Sequence, residues 1–184
     1  MLRLLTTLLL ALLLAPVATL AADPALADPD AVIDALAEAG PPTDLPGNED
    51  AEIALATWED AYGEPLEGTE GAWVLTGSNQ LPIATVMVFA SPENAQQGLG
   101  EFRRGSAEAE AGELEAWTIG DRGKWICMAA DGAVVLIGQA EPVSVDEDED
   151  AVKARSCEAL VATHAWLLET VSGVPASPEA TPAG

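Results

Sequence analysis

The chain has 184 residues, 31 Asp plus Glu against 7 Lys plus Arg, one His, two Cys and 49% hydrophobic residues. Half-apolar content with five Trp argues against a wholly disordered chain. A net charge of −24 argues against nucleic-acid or anionic-membrane partners, and a single imidazole rules out a site built from two or three.

The chain opens on a short basic start, Met1-Leu2-Arg3, and is apolar from Leu4 to Leu14 apart from Thr6 and Thr7. Pro16 and small residues follow. This reads as a secretory signal over residues 1–21, since the apolar run is too short to span a bilayer. Cleavage fits after Ala21 or after Ala27. Losing residues 1–21 removes Arg3 and no acid, leaving 6 basic against 31 acidic side chains. The expected mature protein is extracellular or periplasmic, with no membrane attachment after cleavage. Its acidity suits a hydrated, self-repelling surface or a high-salt habitat.

Residues 22–48 are rich in Pro, Ala and Asp. Asp28-Pro29 predicts a short helix over 30–39, with Asp as N-cap, Pro at N1 and Gly40 as the stop. Asn48 is a candidate cap for a second helix over 49–62, with Ile53, Leu55, Trp58 and Tyr62 available for burial. Residues 72–76 and 82–90 are β-rich and flank Gly77-Ser78-Asn79-Gln80, which predicts a hairpin. Ser91-Pro92-Glu93 is a helix start, and Ala95, Leu99 and Phe102 then share one face.

Three strand-like runs follow, at 114–119, 123–129 and 133–138, with turns at Gly120-Asp121 and Asp131-Gly132. A last helix is predicted from about residue 148 to 171. Residues 173–184 have the composition of a disordered tail. The fold class expected over 49–172 is therefore a single α+β domain. It holds an antiparallel sheet of about five strands in ββ-α-βββ-α order with packed helices, preceded by N-terminal helices.

Both faces of that sheet are apolar, where a half-exposed one would alternate. Trp125 and Cys127 share one alternation and are expected to face the helix layer, leaving Ile126 and Met128 on the other side. Met87, Phe89, Ile126 and Met128 form a candidate apolar face. Residues 28–62 are its expected cover, and the alternative is a ligand groove or partner surface.

Cys127 and Cys157 are the only thiols and are expected to form a disulfide across about 30 residues. Cys157 and His164 lie too far apart along one helix, about 10 Å, for a nucleophile–base pair. His164 instead suits a core-edge imidazole with locally satisfied nitrogens. Arg103, Arg104, Arg122 and Lys124 are candidate contacts for an anion or ligand, unless they pair with nearby carboxylates.

Asp146, Asp148 and Asp150 match the first alternate positions of a calcium loop. Ala151 and Cys157 stand where its Gly and bidentate Glu belong, so an acid-rich helix start is preferred, and no metal or other cofactor is expected. No phosphate loop, G-x-S-x-G or H-E-x-x-H occurs. The functional expectation is a secreted, non-enzymatic binding or accessory protein whose partner is an unidentified small ligand or protein. A carboxylate-based extracellular hydrolase and a homodimerising interaction module are the alternatives.

Overall fold

The computed structural model describes residues 24–43, 45, 52–78, 81–104, 109–111, 117–121, 124–142, 144 and 146–173. The expected signal segment, residues 1–21, lies outside them, as does the expected tail, 173–184, apart from Gly173. A 3-10 turn at Pro24–Leu26 leads into α1, Pro29–Glu38. Asp28 caps α1 as expected, its side chain accepting from the Asp30 and Ala31 amides at 3.1 and 3.4 Å.

The segment 49–62 departs from expectation. Its centre is a strand, β1 (Ala54–Thr57), and only its last turn and a half is a helix, α2 (Trp58–Tyr62). The apolar spacing had suggested one helix, but β1 gains ladder partners along β2 (Gly71–Thr76), from Ala54 opposite Thr76 to Thr57 opposite Trp73. Tertiary pairing overrides local propensity here. The working N-cap is Thr57, whose Oγ1 accepts from the Asp60 amide at 3.1 Å.

The rest follows the predicted order: β3 (Pro82–Val88), α3 (Pro92–Arg104), a short β4 (Ala109–Ala111), β5 (Trp117–Asp121), β6 (Lys124–Asp131), β7 (Val134–Ala140) and α4 (Glu149–Ser172). The fold is α+β. All five predicted strands are present, and β1 and β4 extend the sheet at its edges to seven, ordered β1-β2-β3-β7-β6-β5-β4 and antiparallel throughout.

That order decides where the helices lie. From β3 the chain must pass β7, β6 and β5 to reach β4, four strand spacings or about 19 Å. The 13-residue α3 is about 20 Å long, and it crosses one face over β7 and β6. α4, leaving β7, lies on the opposite face over β6 and β7.

On the α4 face, Trp73, Val86, Val88, Cys127, Val134 and Leu136 pack with Leu160 and Leu167. The 3-10 turn and α1 lie on this face too, burying Leu26 from the turn and Val32 and Leu36 from α1 in the same core. On the α3 face, Ala95 and Leu99 pack against Met87, Phe89, Met128 and Val135. The second face is therefore covered, but by α3 rather than by residues 28–62. From that N-terminal stretch, α2 supplies Trp58 to the margin of this second core.

Two glycines fix the approach of neighbouring chain. Gly132 has φ +56°, and a Cβ there would press on the Leu26 carbonyl and reach 2.8 Å from the Ala27 nitrogen. The 3-10 turn thus sits directly on the β6–β7 turn, where the Ala133 amide donates to Leu26 O at 2.7 Å. Gly138 lies in a row of small side chains, Ala84, Gly138 and Cys127 in register across β3, β7 and β6. The shallow channel they leave admits the backbone of α4 at Ser156 and Leu160.

Candidate functional site

The expected disulfide is present. Cys127 and Cys157 are bonded with their Cα atoms 4.9 Å apart. Two further side-chain contacts join β6 to α4. The Lys153 ammonium stands 5.5 Å from the centre of the Trp125 ring, and His164 Nε2 lies 2.8 Å from Asp131 Oδ2. As β6 advances from 125 to 131, its partners on α4 advance from 153 to 164. The distances agree, about 20 Å of strand against about 16 Å of helix, so α4 runs along β6 in the same direction. Trp125 and Cys127 face the helix, and Met128 lies in the opposite core, as the alternation predicts.

The acidic run before α4 is held in a related way. Arg155 pairs with the Glu147 carboxylate and donates from Nη2 to the Glu141 carbonyl at 2.8 Å, fastening the 141–147 segment to the helix. Asp146 lies in a turn, Asp148 is the N-cap position and Asp150 falls in the first turn of α4. Acids there suit the positive end of the helix dipole. Among the described residues no group of three or more His, Cys, Asp and Glu could hold a metal ion.

On the other face, α3 forms one wall of a groove. Its start is built as expected: the Asn94 amide donates to Ser91 Oγ at 3.2 Å and the Ala95 amide to Ser91 O at 3.0 Å. Ala95 and Leu99 point into the core, but Phe102, third on that stripe, is 39% exposed. The opposite wall is the turn from Leu66 to Thr69. Thr69 Oγ1 donates to the Leu66 carbonyl at 2.8 Å, and the Glu70 amide to Val88 O at 2.8 Å ties the turn to β3.

Between these walls lies a space of about 430 Å³. Leu66, Phe89 and Phe102 supply its apolar lining. The Phe89 ring lies against α3 where Gly98 has no side chain, since a Cβ there would come 2.6 Å from Phe89 Cζ. Glu67, Asn94, Gln97 and Glu101 supply polar groups, and Gln97 Nε2 donates to Glu101 Oε1 at 3.1 Å. The groove thus offers aromatic surface beside two carboxylates.

The residues expected to form a site are dispersed. Met87, Phe89 and Met128 are buried beneath α3, with Ile126 partly buried at the edge of the same core. Of these, Phe89 lines the groove. Lys124 pairs with Glu141. Arg103 lies in α3, as does Arg104, while Arg122 lies outside the described residues. Sequence reasoning passed over Leu66, Glu67, Gln97 and Glu101, because their grouping depends on where α3 crosses the sheet. Phe102 carried a signal, being an aromatic on the apolar stripe, but that signal read as burial.

No family model matches the chain, and no curated protein matches it in sequence. Among solved structures, the chain is similar to the extracellular domain of PknH from Mycobacterium tuberculosis at 10% identity and a TM-score of 0.32, over 76% of this chain and 93% of that one. A likeness of that degree assigns no function.

Proposed function

We propose that this chain is an exported, non-enzymatic domain that binds a small ligand outside the cell, in the groove between α3 and the turn from Leu66 to Thr69. The observation that carries the reading is the groove itself. It pairs an aromatic lining with a few polar groups in a volume of about 430 Å³, within the ~300–1,000 Å³ of small-molecule sites. Elsewhere both thiols are held in the disulfide, and among the described residues no hydroxyl nucleophile is bonded to the imidazole, which pairs with Asp131 instead. Export fits a disulfide, which persists in oxidising compartments. No helix among the described residues is long and apolar enough to cross a membrane.

Two measurements test this. Intact mass of protein recovered from the medium or periplasm of a secreting host should show loss of residues 1–21, or of 1–27. A product retaining Met1, or found only with membranes, overturns export. A fragment library titrated into isotope-labelled protein should shift backbone amides at 66–69 and 94–102 together. Hits that cluster elsewhere, or none at all, overturn the binding site.

A further inference from the structure

We infer that the processing site is the bond after Ala21, and that residues 22–27 stay as the first part of the mature domain; this rests on the export reading above. Two sites fit the sequence, Thr19-Leu20-Ala21 and Ala25-Leu26-Ala27, each with small residues at the first and third positions. Ala21 itself lies outside the described residues, so the choice turns on what each cut would do to Pro24–Ala27.

Leu26 is 0% exposed and packs with Trp73, Val134 and Leu167 in the core beneath α4. Its carbonyl accepts from the Ala133 amide at 2.7 Å, and the Ala133 carbonyl accepts in turn from the Phe89 amide at 2.8 Å. Ala133 is itself buried. Beside it Gly132, at φ +56°, leaves the space that the Leu26 carbonyl occupies. The 3-10 turn is therefore seated by a side chain, a hydrogen bond and a fitted backbone contact.

A cut after Ala27 would undo all three. The core would lose a whole leucine side chain, and the Ala133 amide would lose its acceptor. The new chain start would be Asp28, the N-cap of α1, and its ammonium group would add positive charge at the positive end of that helix. A cut after Ala21 does none of this. It leaves Ala22 and Asp23 ahead of Pro24 and keeps the new ammonium group away from the cap. The small-x-small pattern at Ala25–Ala27 then belongs to a turn that seats one leucine, not to a processing site.

The chain is expressed with its leader in a secreting host, and the exported product is weighed intact. The expected mass is that of a chain beginning at Ala22. Ala27→Gln, at an exposed position, should be processed at the same bond as the natural sequence. Ala21→Gln should yield no product beginning at Ala22, because a long side chain replaces the small residue at the cut. Leu26→Ala in the exported product should lower its urea midpoint by about 1 M or more.

A natural product beginning anywhere after Ala22 overturns the inference and leaves export standing. Unaltered processing of Ala21→Gln, or a block by Ala27→Gln, has the same force. An unchanged midpoint in Leu26→Ala removes the reason for keeping the turn and overturns the inference too. A product that retains Met1, or is found only with membranes, overturns the export reading itself.

Discussion

Gly138→Ala is expected to destabilise the protein by at least about 3 kcal/mol, at or beyond the upper end of ordinary overpacking. The usual expectation for a strand glycine is the reverse. Alanine narrows the unfolded ensemble and commonly adds about 0.4–1 kcal/mol where the backbone permits it. At this position the backbone conformation is ordinary, but the space is taken. The new Cβ would overlap the Ser156 carbonyl oxygen and come 2.6 Å from the Leu160 nitrogen. Both are main-chain atoms of α4, so no side chain can rotate away and the helix itself must move. Gly138 is also the cross-strand partner of Cys127, so lifting α4 carries Cys157 away from its bonding partner. A denaturant melt should show a lower midpoint, and oxidative folding should leave more free thiol. A midpoint equal to or above that of the natural sequence would contradict the close approach.

Removing the disulfide by Cys127→Ala with Cys157→Ala should cost about 3–4 kcal/mol, the loop-entropy value for a closure of this length. The bond joins residues 30 apart and restrains the unfolded chain across β6, β7 and the first third of α4. Against a typical total of ~5–15 kcal/mol, that is a large share of the stability. In water without denaturant the variant should keep its far-ultraviolet helix signal, because Trp125–Lys153 and Asp131–His164 still hold the helix to the strand. The natural sequence under strong reductant should then melt at the variant's midpoint. Identical melts with and without the bond would show that it contributes nothing to stability.

The elements readable in the sequence were those whose signals are local. Asp28-Pro29 and Ser91-Pro92 carry their caps within three residues, and Asp131-Gly132 marks its own turn. The two thiols could pair only with each other, so the bond between β6 and α4 was legible before any strand order was known. The edge strands were not. Ala54–Thr57 and Ala109–Ala111 are four and three residues long, and their stability comes from partners far along the chain. Missing Ala109–Ala111 left the destination of α3 unknown, and with it the identity of the helix covering Met87 and Met128. The groove suffered the same fate, because Glu67 and Glu101 become neighbours of one space only through that crossing. Lys124 was read with the arginines of α3, yet its carboxylate partner, Glu141, lies just beyond the end of the neighbouring strand.

The sheet is dressed differently on its two sides. One side carries a helix joined to it by a covalent bond, a hydrogen bond and a cation–ring contact, with its backbone sunk into a channel of small side chains. The other carries a helix half as long, anchored by Ala95 and Leu99, with glycine at 98 and 100. Glycine within a helix weakens it by up to about 1 kcal/mol relative to alanine. Local opening of a folded protein is easier where covalent and close backbone restraints are fewer, and α3 lacks both the covalent bond and the sunken backbone of α4. The groove has that helix for a wall. A change in that wall would leave the bonded helix on the far side of the sheet untouched, so the two faces can serve separate ends: one holds the domain together, the other meets what comes to it.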